Sequence, residues 1–167
     1  RALSHEDMAY HMSKRAAEIA CDAREEYTRD PQYDGRPLFV LGSIGPSNRV
    51  LSCTDANLKL STFDEMMDNF HVQVLGLIDG GADVLLYETQ QDILEVKAAV
   101  LGGQRAMRER GVRIKILTPG KHSDQLLTRR SSRRLYGALL EGGAQIYEYQ
   151  PAMMHAKVLI VDNLWSV

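Results

Sequence analysis

Apolar and polar positions along this chain follow two rhythms. Between residues 5 and 28 apolar side chains recur every three or four positions, with Met8, Met12, Ala16, Ile19 and Ala20 on one face, which predicts an amphipathic helix. A stretch rich in Pro, Gly and Asp at 30–37 reads as a loop. Leu38–Leu41 is a short apolar run, a buried strand closed by Gly42, Gly45 and Pro46, and 47–61 is a polar loop. Thr62 with Glu65 three residues later is the signature of a capped helix start, and that helix runs to about Asp79 before Gly80-Gly81 stops it. Then come a strand over Ala82–Glu88, a helix over 92–110 ending at Gly111, and a strand from Val112 to Leu117. A helix over 130–141 ends on Gly142-Gly143, followed by strands at Ile146–Tyr149 and Lys157–Val161.

Strands alternating with helices of this length argue for parallel βαβ units, so the expected class is α/β. Leu77-Ile-Asp-Gly-Gly-Ala-Asp-Val84 nearly recurs as Leu139-Leu-Glu-Gly-Gly-Ala-Gln-Ile146. Shared physics explains this better than duplication, because each helix needs a glycine at its C-terminal cap before a buried strand.

Composition narrows the function classes. A length of 167 residues suits one domain. No apolar run is long enough for a spanning helix, and the charged, polar N-terminus does not read as a signal peptide. Arg1 in place of Met reads as a processed, excerpted or broken frame. Two cysteines, Cys21 and Cys53, make neither a disulfide framework nor a zinc ribbon, which points to the cytoplasm. The net charge of −2 conceals an asymmetry: residues 1–113 hold 13 Lys or Arg against 18 Asp or Glu, and residues 114–167 hold 7 against 4. Arg129, Arg130, Arg133 and Arg134 have helical spacing and read as a solvated face. No aromatic residues interleave with them, so nucleic acid is not an expected partner.

Two places carry candidate chemistry. The strand that ends in Tyr87 delivers Glu88-Thr89 to its C-terminal tip, where barrel enzymes place ligand contacts; on residue physics alone a solvated loop acid is the blander alternative. In His155-Ala-Lys157 the two side chains share one face of a strand, with Asp162 five residues beyond. Imidazole serves as nucleophile or acid near neutral pH and ammonium neutralises phosphate, which suits phosphodiester chemistry; the blander alternative is an ordinary strand with a surface His and Lys.

Residues 1–113 resemble the homocysteine-binding, S-methyltransferase domain family found in cobalamin-dependent methionine synthase. The words that carry this are Met8-Ala-Tyr, Ala16-Ala-Glu-Ile-Ala20, Leu41-Gly-Ser-Ile-Gly-Pro-Ser-Asn-Arg49, Thr62-Phe-Asp-Glu65, Leu77 through Thr89, and Lys97-Ala-Ala99. The resemblance implies the first part of a (β/α)8 barrel. It implies that Glu88 holds the substrate amino group and that Gly42 and Gly45 line the pocket. The family activates the thiol on zinc held by three cysteines from later strands. No cysteine follows Cys53, so no cofactor, no metal ligand set and no methyl transfer are expected of this chain.

Residues 114–167 resemble the cardiolipin-synthase branch of the phospholipase D superfamily. The carriers are Ile116-Leu-Thr-Pro-Gly-Lys-His-Ser-Asp-Gln125, Tyr147-Glu-Tyr-Gln-Pro-Ala-Met-Met-His155 and the spacing H-x-K-x4-D. That resemblance implies catalytic roles for His155, Lys157 and Asp162. The superfamily uses two such motifs, each followed by a Gly-Ser-x-Asn word, and this chain has one motif and ends before that word.

The expected architecture is therefore a partial barrel over 1–113, continued by a phospholipase D-like βαββ piece over 114–167, with a join within Gly111–Lys115. Three functional readings follow: a homocysteine S-methyltransferase fragment, a phospholipase D-type transferase or phosphodiesterase fragment, or an inactive folded α/β domain. The expected partners are a small molecule, homocysteine or a phosphodiester, and a second copy of the chain through exposed sheet edges.

Overall fold

The computed structural model describes residues 5–54, 61–113, 115–119, 133, 136–151, 160–161 and 165–166. The chain forms two compact units, Arg1–Val112 and Arg113–Val167. The first contains α1 (His5–Thr28), β1 (Leu41–Ile44), α2 (Phe63–Asp79), β2 (Val84–Tyr87) and α3 (Ile93–Glu109). Strands β1 and β2 pair in parallel, Leu41 beside Val84 and Ile44 beside Tyr87. The second contains β3 (Lys115–Pro119), α4 (Tyr136–Glu141) and β4 (Gln145–Tyr149), again a parallel pair, and a short antiparallel pair of β5 (Ile160–Val161) and β6 (Trp165–Ser166).

The fold is thus α/β with mostly parallel strands and intervening helices. Among the described residues the strands pair as three two-stranded sheets, two of them parallel and one antiparallel. Each parallel pair is spanned by its own crossover helix, the local unit that helix–strand alternation specifies.

One expectation about α1 is corrected. Met8, Met12, Ala16, Ile19 and Ala20 do not face the core; Met12 and Ile19 are 73% and 54% exposed. Ala17 is buried instead, on a stripe with the part-buried Tyr10, Ser13, Lys14, Cys21 and Arg24. The cause lies on α2, which meets α1 with Gly76 and Gly80. A Cβ at Gly76 would lie 2.5 Å from Tyr10 O and 2.9 Å from Ser13 Cβ, and one at Gly80 would overlap Lys14 O. Backbone-to-backbone packing of this kind excludes Met and Ile from the seam, whatever their hydrophobicity. The same device recurs between α2 and α3, where a Cβ at Gly102 would lie 2.5 Å from Met67 O and 3.0 Å from His71 N.

Around these seams sits one apolar cluster of Ala17, Ile44, Leu51, Met66, Phe70, Val74, Leu77, Ala98, Ala99 and Ala106. Asp79, at the end of α2, links three helices: it accepts from Tyr10 Oη at 2.7 Å and from Arg110 Nε and Nη2 at 2.7 Å each. The Arg110 guanidinium, aided by Tyr10, holds its carboxyl down at about 2 although burial opposes this. His71 Nε2 lies 2.9 Å from Glu109 Oε2 across the α2–α3 seam.

Helix ends follow the sequence closely. Thr62 caps α2, with Glu65 N–H donating to Thr62 Oγ1 and Thr62 N–H donating to the Glu65 carboxylate, a complete capping box. The near-repeated phrase proves to be one geometry used twice. Ala82 N–H donates to Leu77 O at 3.0 Å and Gly81 N–H to Ile78 O at 3.0 Å; Ala144 and Gly143 do the same to Leu139 and Leu140. Gly81 and Gly143 take the required positive φ of 93° and 81°.

The first strand lies three residues later than the apolar run suggested. Asp83 Oδ2 takes the Val40 N–H at 2.8 Å, while Val40 O receives Asp83 N–H and Val84 N–H. A side chain therefore terminates the ladder at Val40, and Phe39 is left 62% exposed. Similarly, β3 begins at Lys115 rather than Val112.

Gly102→Ala should lower stability by about 1–3 kcal/mol, because the added methyl meets backbone that cannot move aside. Gly137→Ala, on the open face of α4 with nothing within 4 Å, should be neutral or raise stability by up to about 1 kcal/mol. Urea denaturation of the two variants checks both values.

Candidate functional site

The two faces of the β1–β2 pair differ. Gly42, Ile44, Leu85 and Tyr87 turn toward the helices, while Leu41, Ser43, Val84 and Leu86 lie exposed on the other side. Tyr87 reaches across to α3, where its hydroxyl occupies the space a Cβ at Gly103 would take, and burial raises its phenol above the usual range.

Both strands then deliver polar groups to their C-terminal edge. Glu88 is exposed there; its N–H donates to Ile44 O at 3.2 Å and its carboxylate accepts a hydrogen bond from Ser43 Oγ. Thr89 follows at φ 54°, in the left-handed region that a non-glycine residue enters at a cost of roughly 1–2 kcal/mol. The turn returns the Gln90 side chain to β1, where its Nε2 donates to the same Ile44 O at 3.2 Å.

Two carboxylates fix the loop after β1. Asp92 caps α3 by accepting from Leu94 N–H at 2.9 Å and also accepts from Ser52 N–H at 2.8 Å. Burial is the strongest single influence on Asp92 and would raise its carboxyl, but the hydrogen bonds from Ser52, Leu94 and Leu51 together outweigh it and hold the group low. Glu95, 2% exposed, accepts from Ser47 N–H at 2.5 Å. The loop between Ser47 and Ser52 is thus tied at both ends to the first turn of α3, beside the Glu88 edge.

Of the residues singled out from sequence, Glu88 and Gly45 lie at this edge. Gly45 directly follows Ile44 and has open space where a side chain would be. Gly42 lies inside β1 on the helix side, where a Cβ would stand 3.0 Å from Leu77 Cδ1 and 3.3 Å from Ala82 Cβ. Its smallness lets α2 approach. His155, Lys157 and Asp162 lie outside the described residues.

Sequence reasoning missed Ser43, Gln90, Asp92 and Glu95. A signal for two of them existed. Asp92 and Glu95 have the spacing of Thr62 and Glu65, and a capping box was a legitimate expectation. Here the glutamate bonds the neighbouring loop, a choice that only tertiary placement decides.

A three-thiolate zinc site does not fit these residues. Among the described residues no three His, Cys, Asp or Glu side chains converge as a metal-binding group. Cys21 lies on the α1–α2 seam with its thiol toward Gly81 O at 3.3 Å, Cys53 lies in the loop after β1, and the sequence holds no third cysteine. No helix among the described residues is long and apolar enough to cross a membrane.

The first unit thus presents a parallel βαβ pair with an exposed acid at its C-terminal edge. Residues 1–146 match the family described as Homocysteine S-methyltransferase, and the chain belongs to that family. The match runs through position 113, so it does not mark a join there. The chain is 36% identical over 110 residues to a methionine synthase of Mycobacterium leprae, which covers 66% of this chain and 8% of that protein. It is 41% identical over 81 residues to a methionine synthase of Mycobacterium tuberculosis, 48% of this chain and 6% of that protein. The chain therefore spans a small part of the length of these relatives.

Asp92→Ala should cost about 1–2 kcal/mol, the usual loss for an N-cap, and should free the loop after β1. The sign with pH follows from the lowered carboxyl. Its contribution is complete above the unfolded value of about 3.9 and disappears as pH falls through the folded one. Urea midpoints from pH 7 to pH 2.5 should therefore fall less steeply for Asp92→Ala than for the unaltered chain.

Proposed function

We propose that the C-terminal edge of β1 and β2 forms the part of a homocysteine site that receives the substrate's amino group, with Glu88 as its counter-ion. The placement of Glu88 carries this reading. It is an exposed carboxylate at the tip of a parallel strand, oriented by the Ser43 hydroxyl and followed by a strained turn. Backbone strain of this sort clusters at ligand clamps. Family membership supplies the substrate class, and methionine synthases among the relatives agree with it.

In this reading Glu88 pairs with the ammonium, Ser43 fixes the carboxylate, and Gly45 leaves room for the amino acid backbone. Asp92 and Glu95 hold the loop beside it. Thiol activation is not supplied by these residues, because a neutral thiol is a weak nucleophile and the chain assembles no thiolate cage to ionise it. The chain on its own thus binds homocysteine without transferring a methyl group.

The test is calorimetric titration with L-homocysteine. A charge-assisted hydrogen bond contributes about 1.5–3 kcal/mol, so Glu88→Gln should weaken binding roughly 10- to 100-fold with unchanged circular dichroism. Equal affinity in the variant would contradict the assignment. The same preparation should hold less than one zinc per chain and form no methionine from homocysteine and a methyl donor.

The spacing His155-x-Lys157-x4-Asp162 favours a second reading, a phosphodiesterase half-site beyond the family match. In-line displacement needs a nucleophile and an acid on opposite sides of phosphorus, and one imidazole cannot be both. The expected outcome is no hydrolysis of a chromogenic phosphodiester; hydrolysis abolished by His155→Ala would promote this reading over the first.

A further inference from the structure

We infer that Gln90 is a second acceptor for the substrate's ammonium group, acting beside Glu88 as a specificity-determining residue; this rests on the reading of the β1–β2 edge as an amino-group site. Two observations converge on it. First, Gln90 Oε1 is buried and has no hydrogen-bond partner, the one side-chain nitrogen or oxygen of that kind among the described residues. Buried polar atoms are almost always hydrogen-bonded, because burial without a partner forfeits the bond to water, so such an atom calls for a donor. Second, the other end of the same amide is already committed. Nε2 donates to Ile44 O at 3.2 Å, which fixes the amide's orientation and leaves the oxygen as the group still to be satisfied.

The position of that oxygen sets the chemistry of the donor. Ile44 O receives both the Glu88 N–H and the Gln90 Nε2, each at 3.2 Å, so the amide of Gln90 and the start of Glu88 meet at one atom. Thr89, at φ 54° between them, turns the chain so that the side chain two residues beyond Tyr87's neighbour returns to the strand end. Ser43, the residue before Ile44, already donates to the Glu88 carboxylate and keeps its lone pairs free to accept. Residues at this edge thus carry a carboxylate and a hydroxyl bonded to each other, and an amide whose nitrogen is fixed at the same strand end. A primary ammonium brings three N–H donors and one positive charge, which matches three oxygens of which one is charged. A hydroxyl offers one donor and a neutral amide two, and neither brings the charge that pairs with the Glu88 carboxylate.

A role limited to bracing Ile44 predicts something different. Bracing uses only Nε2, and its loss would weaken every ligand of the edge alike. The experiment compares L-homocysteine with 4-sulfanylbutanoate, which has the thiol and carboxylate but no amine, by calorimetry on the whole chain and on Gln90→Met, which keeps the side chain's length. The expected result is about tenfold weaker homocysteine binding in Gln90→Met and analogue binding unchanged within twofold. Equal losses for both ligands, or no loss for either, would overturn the inference. A readout without any variant guards against a misfolded Gln90→Met. The Gln90 side-chain NH2 signals in a 15N–1H spectrum of the unaltered chain should move on adding homocysteine and stay in place with the analogue. Signals that ignore homocysteine, or move equally with both, would overturn it as well. Homocysteine binding that depends on Glu88 but not on Gln90 removes this inference alone, whereas no binding to the unaltered chain removes the amino-group site itself.

Discussion

Close approach of helix backbones at glycine is the constraint on which the first unit depends. Gly76 and Gly80 admit the backbone of α1, and Gly102 admits that of α2. Dispersion gained in such contacts is small per atom pair and large in sum, and it falls steeply once the surfaces separate. The seams therefore behave as fixed distances. They set where α2 and α3 stand, and through Leu77, Val74 and Ile44 they set where the β1–β2 pair lies. Gly42 and Gly103 continue the same logic at the sheet, the first admitting Leu77 and the second admitting the Tyr87 hydroxyl.

The C-terminal edge of the ladder inherits its order from that packing. A two-stranded parallel ladder is weak on its own and needs a packed helix layer to persist. Here the helix side of the ladder is covered, the loop after β1 is tied to the start of α3 by Asp92 and Glu95, and Gln90 of the preceding turn bonds Ile44 O. Asp92 and Glu95 use their charge on backbone N–H groups of the β1 loop, which leaves Glu88 as the edge carboxylate held by a side-chain hydroxyl. A division of labour among three nearby acids follows from burial: the two buried ones serve the loop, and the exposed one, Glu88, stays open to solvent.

Much of this was legible in the sequence, and the limits have physical causes. Helix ends were read well, because Thr62, Glu65, Gly81 and Gly143 act through local hydrogen bonds among residues a few positions apart. The strands were recognised but displaced: the apolar run Leu38–Leu41 marks a buried segment, and the ladder starts where Asp83, distant in sequence, stops occupying the Val40 N–H. The face of α1 was misread because hydrophobicity favours Met and Ile, whereas a glycine notch on another helix selects backbone, Ala17 and Cys21. Glu88 was found at a strand tip from pattern and resemblance together. Gln90, Asp92 and Glu95 were not, since what distinguishes them is a partner more than thirty-five residues away on the β1 loop.

The central claim is that glycine-mediated helix packing holds the β1–β2 ladder and its C-terminal edge as one cooperative unit. Native-state amide hydrogen exchange on the unaltered chain and on Gly76→Ala tests it most directly, because exchange reports the opening free energy of each segment separately. The account predicts that the Glu88 and Val84 amides lose protection in the variant by the same amount as the buried amides of α2 around Val74. Ladder amides that keep their protection while those of α2 lose theirs would contradict it.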